Sequence, residues 1–195
     1  MNSSLKLAHY VVNTNKIAEM RDWYCTVLNA EVVFENDMMC FITYDDEHHR
    51  LAFMTPPGGV TEKPINSAGL MHTAFTFPDL RNLLDHYTYL KSLGITPQVP
   101  VQHGPTTSLY YRDPDGAFAE LQVDNFATAQ EATDFMHTQA YADDPLGPVF
   151  DPQLMLDLLD QGVPKQTLAT REWAASGPDM PRPLALFAAV EVLPS

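Results

Sequence analysis

The stretch HGPTTSLYYRDPDGAFAELQVD, residues 103–124, decides how this chain is read. Residues 106–112 have the character of a strand, Asp113-Pro114-Asp115-Gly116 that of a tight turn, and residues 117–123 that of a second strand. The turn has a mechanism, since proline presets one backbone angle and glycine tolerates positive φ at another. The second strand is apolar except for one carboxylate well inside it, Glu120. An unpaired carboxylate in a core strand is costly, so Glu120 requires a cation, a proton or a hydrogen-bonded site. Working outward from the hairpin means asking what meets Glu120.

Upstream of the hairpin a pattern occurs twice. Residues 5–12 form a β-type run in which His9 looks buried, and Asn13 or Thr14 can cap a helix running to about residue 29. Strands are predicted over 31–35, 39–44 and 50–54, with 45–48 as a hairpin turn. A loop opens at Pro56-Pro57-Gly58-Gly59 and runs to about Ala68. Residues 71–77, containing His72, make the next strand. Asp79 then caps a helix over 80–93, Gly94 suits the C′ position, and 98–102 leads into the hairpin. Aligning His9 with His72 places Ile17 on Leu80, Met20 on Leu83, Tyr24 on Tyr87 and Val27 on Leu90. These positions trace one helix face twice in the same register.

Each half is therefore a βαβββ unit, which cannot bury its apolar side alone. The predicted fold is α+β: two βαβββ modules, about 5–55 and 70–125, forming one open curved barrel within a domain spanning 1–125. Beyond Asn125 the pattern changes. A helix is predicted over 128–137, and Asp151-Pro152 opens another that ends before Gly162. Prolines crowd the region, so 126–195 is expected to be a partly helical C-terminal extension wrapped on the barrel or on a partner subunit.

The 195 residues carry a formal net charge of -14, which repels phosphate backbones and argues against a nucleic-acid partner. No apolar run approaches the ~20 residues of a membrane span. The N-terminal MNSSLKLAHYVV lacks a basic region followed by a long apolar core, so no signal peptide is expected. Two cysteines, Cys25 and Cys40, make no disulfide framework and suit a reducing cytoplasm. A homo-oligomer, dimer or higher, is the expected assembly.

His9 and His72 occupy equivalent first-strand positions, and Glu120 lies on the last strand of the second module. Two imidazoles and one carboxylate are the facial set that suits Fe(II) and leaves adjacent positions open, with Mn(II) as the second choice. The first-module counterpart of Glu120 falls near Phe53, where only Ala52, Phe53 and Met54 stand, so a fourth carboxylate ligand is missing. The plain alternatives are a hydrogen-bonded core histidine for His9 or His72, a solvated turn for His48 and His49, a loop histidine and a strand aromatic for His103 and Tyr110, and packing for Cys25; His86 is given no role and His137 a structural one. No glycine-rich phosphate loop or serine-nucleophile elbow is present.

Over roughly residues 5–125 the chain resembles the vicinal oxygen chelate superfamily, the paired-βαβββ fold of glyoxalase I, antibiotic-resistance proteins and extradiol dioxygenases. It is most similar to the type I extradiol ring-cleaving dioxygenases, as a form with a single module pair. His48-His49-Arg50-Leu51-Ala52 resembles their HHxLA strand start, and Met71-His72-Thr73 the strand bearing the second metal histidine. Ser108-Leu109-Tyr110 with Asp113-Pro114-Asp115-Gly116 and Ala119-Glu120 resembles their SFY, P-x-G and VE elements. The resemblance implies His49 as the acid–base residue, Tyr110 as partner of a substrate hydroxyl, His103 as a further active-site histidine, and Glu120 as a ligand. It implies Fe(II)-dependent ring cleavage of a catechol-type diol with O2. Two rival readings belong to the same fold: a metal-free protein that sequesters an aromatic ligand, and a glyoxalase-like metal lyase or isomerase.

Overall fold

A computed structural model describes residues 5–61, 64 and 68–189. Of the loop expected between Pro56 and Ala68, residues 62, 63 and 65–67 lie outside the described residues, as do 190–195 of the extension. The chain divides into two compact units, Met1–Gly69 with Asp113–Ala117, and Leu70–Arg112 with Phe118–Ser195.

The first unit contains β1 (Tyr10–Asn13), α1 (Ile17–Leu28), β2 (Glu31–Asn36), β3 (Met39–Thr43) and β4 (Leu51–Met54), in a sheet of order β1-β4-β3-β2. The second contains β5 (His72–Thr76), α2 (Leu80–Ser92), β6 (Val99–Gln102), β7 (Thr106–Arg112) and β8 (Phe118–Asp124), in the order β5-β8-β7-β6. The two orders match strand for strand. In each, the first strand lies parallel to the last, and the helix supplies the crossover that a parallel pair needs. The βαβββ unit expected from the helix faces thus forms twice, each time as an open four-stranded sheet.

The repeat also fixes the cores. Met20, Tyr24 and Val27 are buried on α1, and Leu83, Tyr87 and Leu90 are buried at the matching places on α2. In the first unit α1 packs on β3 and β4, where Cys40, Ile42, Leu51 and Phe53 lie on the buried side of the pleat. In the second unit α2 packs on β8, with Leu109, Tyr111, Ala119 and Leu121 on the buried side. Each fully buried leucine contributes roughly 1.5–3 kcal/mol by leaving water. Asp79 caps α2 by accepting from the Asn82 N–H at 2.9 Å, and Gly94 ends it at φ 80°.

The start of the chain departs from expectation. The first strand begins at Tyr10, and His9 stands exposed just ahead of it instead of buried within a run over 5–12. The parallel ladder opens with the Tyr10 N–H donating to the Arg50 carbonyl at 3.1 Å. The Arg50 guanidinium donates to the Leu7 and Ala8 carbonyls, which therefore take a side-chain partner in place of a strand. Neither Asn13 nor Thr14 caps α1. Asn13 is still paired with Met54, Thr14 Oγ1 accepts from the Lys16 N–H at 2.8 Å, and Lys16 occupies the cap position.

After β8 come α3 (Ala129–Met136), α4 (Gln139–Asp143), α5 (Pro152–Asp160), α6 (Lys165–Leu168), α7 (Arg171–Ala175) and α8 (Pro183–Ala188), all in the second unit. Thr128 and Glu131 form a capping box at α3. Asp151 caps α5, Pro152 opens it, and Gly162 follows its end at φ 87°. The extension is tied to β6 and β7: Val149 bridges to Val101, Gln98 Nε2 donates to the Leu186 carbonyl at 2.6 Å, and Arg112 Nη2 to the Phe187 carbonyl at 3.1 Å. No described helix is long and apolar enough to cross a membrane.

Candidate active site

Strand register gathers three of the expected site residues on one face of the second sheet. Tyr110 on β7 stands directly across from Glu120 on β8, and Glu120 pairs with Ala74 on β5, two residues from His72. Side chains two apart on a strand, or opposite each other across strands, share a face. The result answers the question Glu120 poses: His72 Nε2 lies 3.1 Å from Glu120 Oε2, and Glu120 is 4 % exposed. The Tyr110 ring meets the His72 ring edge-on at 5.3 Å. Its hydroxyl lies 3.0 Å from His103 Nε2, and His103 Nδ1 lies 2.7 Å from the Leu146 carbonyl oxygen.

The protonation states follow from these contacts. Burial works to raise the Glu120 carboxyl, but hydrogen bonds from His72 and Ser108, with the nearby His72 and His103 rings, outweigh it and hold it below the usual carboxylate range. Glu120 is thus a buried anion. Burial raises the Tyr110 phenol far above its ordinary value, and the neighbouring Glu120 raises it further, so Tyr110 keeps its proton. Burial lowers His103 and favours its neutral ring, although Glu120 and the Leu146 carbonyl pull the other way.

A half-buried imidazole and a buried carboxylate anion in contact are a fitting donor pair for a divalent cation. Two ligand atoms bound side by side at about 2.1 Å from one ion lie about 3.0 Å apart, close to the 3.1 Å between His72 and Glu120. His72 Nδ1 is buried without a hydrogen-bond partner among the described residues, so Glu120 is the polar contact that fixes this ring. Within either unit, among the described residues, no three His, Cys, Asp or Glu side chains stand together as a ready ligand set.

His9 and His49 lie in the first unit, where they meet each other. Their ring centroids are 4.3 Å apart. His49 also stacks on Phe41 at 4.8 Å and 17°, and its Nδ1 lies 2.6 Å from Nδ1 of His48. The bend before it is pinned by Arg50, which grips both oxygens of Asp45, and by Thr43 Oγ1, which donates to the Glu47 carbonyl at 2.7 Å. Partial burial first, then the adjacent His9 and His48 rings, push His49 below the ordinary imidazole value. A neutral imidazole held on an aromatic ring is a competent proton acceptor. Sequence reasoning missed Phe41, Leu146 and Phe187, whose ring meets Tyr110 edge-on at 4.9 Å. Phe41 and Phe187 look like any core aromatic, and a backbone carbonyl such as that of Leu146 has no side-chain signal.

A family model of the Glyoxalase/Bleomycin resistance protein/Dioxygenase superfamily matches residues 6–121. The chain is 53% identical over 175 residues to biphenyl-2,3-diol 1,2-dioxygenase 3 of Rhodococcus globerulus, covering 89% of this chain and 92% of the relative. It is 50% identical over 185 residues to biphenyl-2,3-diol 1,2-dioxygenase 2 of the same organism, covering 94% and 97%. Among solved structures, a glyoxalase candidate from Bacillus halodurans superimposes with a TM-score of 0.50 at 19% identity, over 60% of this chain and 94% of that one, a likeness of fold alone.

Proposed function

The chain belongs to the Glyoxalase/Bleomycin resistance protein/Dioxygenase superfamily, and from that membership we propose that it is an extradiol ring-cleaving dioxygenase. The observation that carries the proposal is the extent of its likeness to two biphenyl-2,3-diol dioxygenases, which runs over nearly their whole length. The substrate is a catechol-type diol, and within that class one bearing an aryl group. The ring bond beside the diol breaks, and both atoms of one O2 enter the ring-opened keto acid.

His72 and Glu120 would hold the ion, with His9 as the third ligand; Fe(II) is the proposed metal and Mn(II) the alternative. When bound, such an ion would supply Lewis-acid and redox chemistry to the diol and O2. The protein's own groups manage position and protons. Glu120 supplies a fixed negative charge inside an apolar sheet, which an imidazole cannot. Tyr110, which keeps its proton, hydrogen-bonds a substrate oxygen, and His103 orients that phenol. His49, held neutral against Phe41, takes the proton of the second hydroxyl and returns it to the opening product, as base then acid. The carboxylate–imidazole pair and a positioned base favour this reading over the metal-free binder, which needs neither. We also propose a cytoplasmic location, consistent with free Cys25 and Cys40, and a homo-oligomer built on a 1–125 domain with 126–195 as its extension.

The test is oxygen uptake and colour formation by iron-loaded protein supplied with catechol, 3-methylcatechol and biphenyl-2,3-diol. Turnover fastest with the aryl diol is expected. A protein that binds iron and is inert towards all three overturns the proposal.

A further inference from the structure

We infer that residues 144–147, a turn in the C-terminal extension, set the direction of the hydrogen bond between His103 and Tyr110 and so keep the Tyr110 proton off Glu120. His103 Nδ1 lies 2.7 Å from the Leu146 carbonyl. A carbonyl only accepts, so Nδ1 carries the proton. In the neutral ring Nε2 is then a bare acceptor. The hydrogen that spans the 3.0 Å between His103 Nε2 and the Tyr110 hydroxyl is therefore Tyr110's own.

Tyr110 has a second acceptor within reach, the Glu120 carboxylate directly across the sheet. A charged carboxylate is ordinarily the stronger acceptor. If His103 carried its proton on Nε2, it would donate to the Tyr110 oxygen, and Tyr110 would pass its hydrogen to Glu120. The Leu146 carbonyl selects between these two chains. Its choice turns the phenol hydrogen towards His103 while the phenol stays against Glu120, and the value of that choice at the metal rests on the function proposed above.

The turn is constrained for this task. Gln102, immediately before His103, donates its N–H to the Pro148 carbonyl at 2.9 Å, and Val101 bridges to Val149. Gly147 sits at φ 79°, and a Cβ there would fall 2.1 Å from the Gln102 carbonyl oxygen, so a side chain has no room. Asp144 Oδ1 accepts from the Gly147 N–H at 3.2 Å. Arg171 holds the Asp144 carbonyl, and its guanidinium lies 3.6 Å from the Asp144 carboxylate.

Long-range proton–nitrogen NMR of the metal-free wild-type protein reads the tautomer directly, with His103 assigned by the loss of its signals in His103→Gln. Protonation at Nδ1 is expected, and protonation at Nε2 overturns the inference. Gly147→Ala displaces the Leu146 carbonyl, so it should move the proton to Nε2, shift the phenol hydrogen onto Glu120 and change Fe(II) affinity by about tenfold or more, the usual size of an outer-shell change. A folded Gly147→Ala protein with the Nδ1 tautomer and unchanged Fe(II) affinity overturns it too. If that variant fails to fold, Arg171→Leu loosens the same turn from its other side. Its tautomer and Fe(II) affinity are then expected to change in the same way, and the Nδ1 tautomer with unchanged affinity again overturns the inference. A wild-type Nδ1 tautomer in a protein that cleaves no diol would defeat the proposed activity and leave the role of the turn intact.

Discussion

On the first sheet, the face turned away from α1 carries Val11 and Phe34, 50% and 48% exposed, with Phe41 between them. On the second sheet the matching face carries His72, Tyr110 and Glu120. The strands run in the same order and the helices bury the same positions. The spacing that matches His9 to His72 also matches Val11 to Ala74. Val11 pairs with Ala52, whereas Ala74 pairs with Glu120. One strand position thus separates an apolar surface from a charged site. The same frame forms twice, and most of the residues proposed for the chemistry lie on one sheet, with the proposed base, His49, on a loop of the other unit.

The sharpest way to break this contrast is Glu120→Ala. It should abolish most iron binding and lower turnover at least about 10³-fold, because the remaining imidazoles supply no charge; iron analysis after anaerobic loading decides it. Unchanged iron content would make Glu120 a structural residue. His49→Gln should leave iron content and diol binding intact while turnover falls roughly 10²–10⁴-fold. An equally active His49→Gln protein would remove the first unit from the proton chemistry.

The converse substitution, Ala52→Glu, puts a carboxylate where the first sheet has no His72–Tyr110 setting for it. With Ala52 2% exposed, an uncompensated charge there should cost roughly 3–5 kcal/mol in urea unfolding. A neutral result would mean that the two sheets tolerate charge alike. A milder test compares Glu120 with the other buried carboxyl, Asp113, which belongs to the first unit and accepts from Tyr24 at 3.0 Å. Burial pushes Asp113 up to about 6, against hydrogen bonds from Tyr24 and the Ala117 and Asp115 N–H groups. Its folded value lies above its unfolded one, so its contribution is complete below about pH 4 and is lost as pH rises through about 6, an effect of about 3 kcal/mol. Asp113→Asn should remove that slope from the stability profile between pH 4 and 7, and a variant with the wild-type slope would refute the assignment.

Much of this was legible from residue order. Helix faces spaced alike revealed the repeat, and the turn chemistry of Asp113-Pro114-Asp115-Gly116 placed the hairpin that sets Tyr110 opposite Glu120. A lone carboxylate in an apolar strand announced a partner, and His72 is that partner at 3.1 Å. The strand start was misjudged because the apolar run continues through Leu5 and Leu7, while pairing stops where Arg50 takes the Leu7 and Ala8 carbonyls. Leu146 was invisible for a different reason: its contribution is a backbone carbonyl, 43 residues beyond the histidine it meets and placed by the glycine that follows it.

The proposed chemistry is tested most directly by following iron-loaded protein, biphenyl-2,3-diol and O2 to completion, with product mass and oxygen consumption measured together. Ring cleavage predicts one O2 consumed per diol and a product heavier than the diol by the mass of that O2. A product lighter by two hydrogens, or a diol left unchanged, would contradict it.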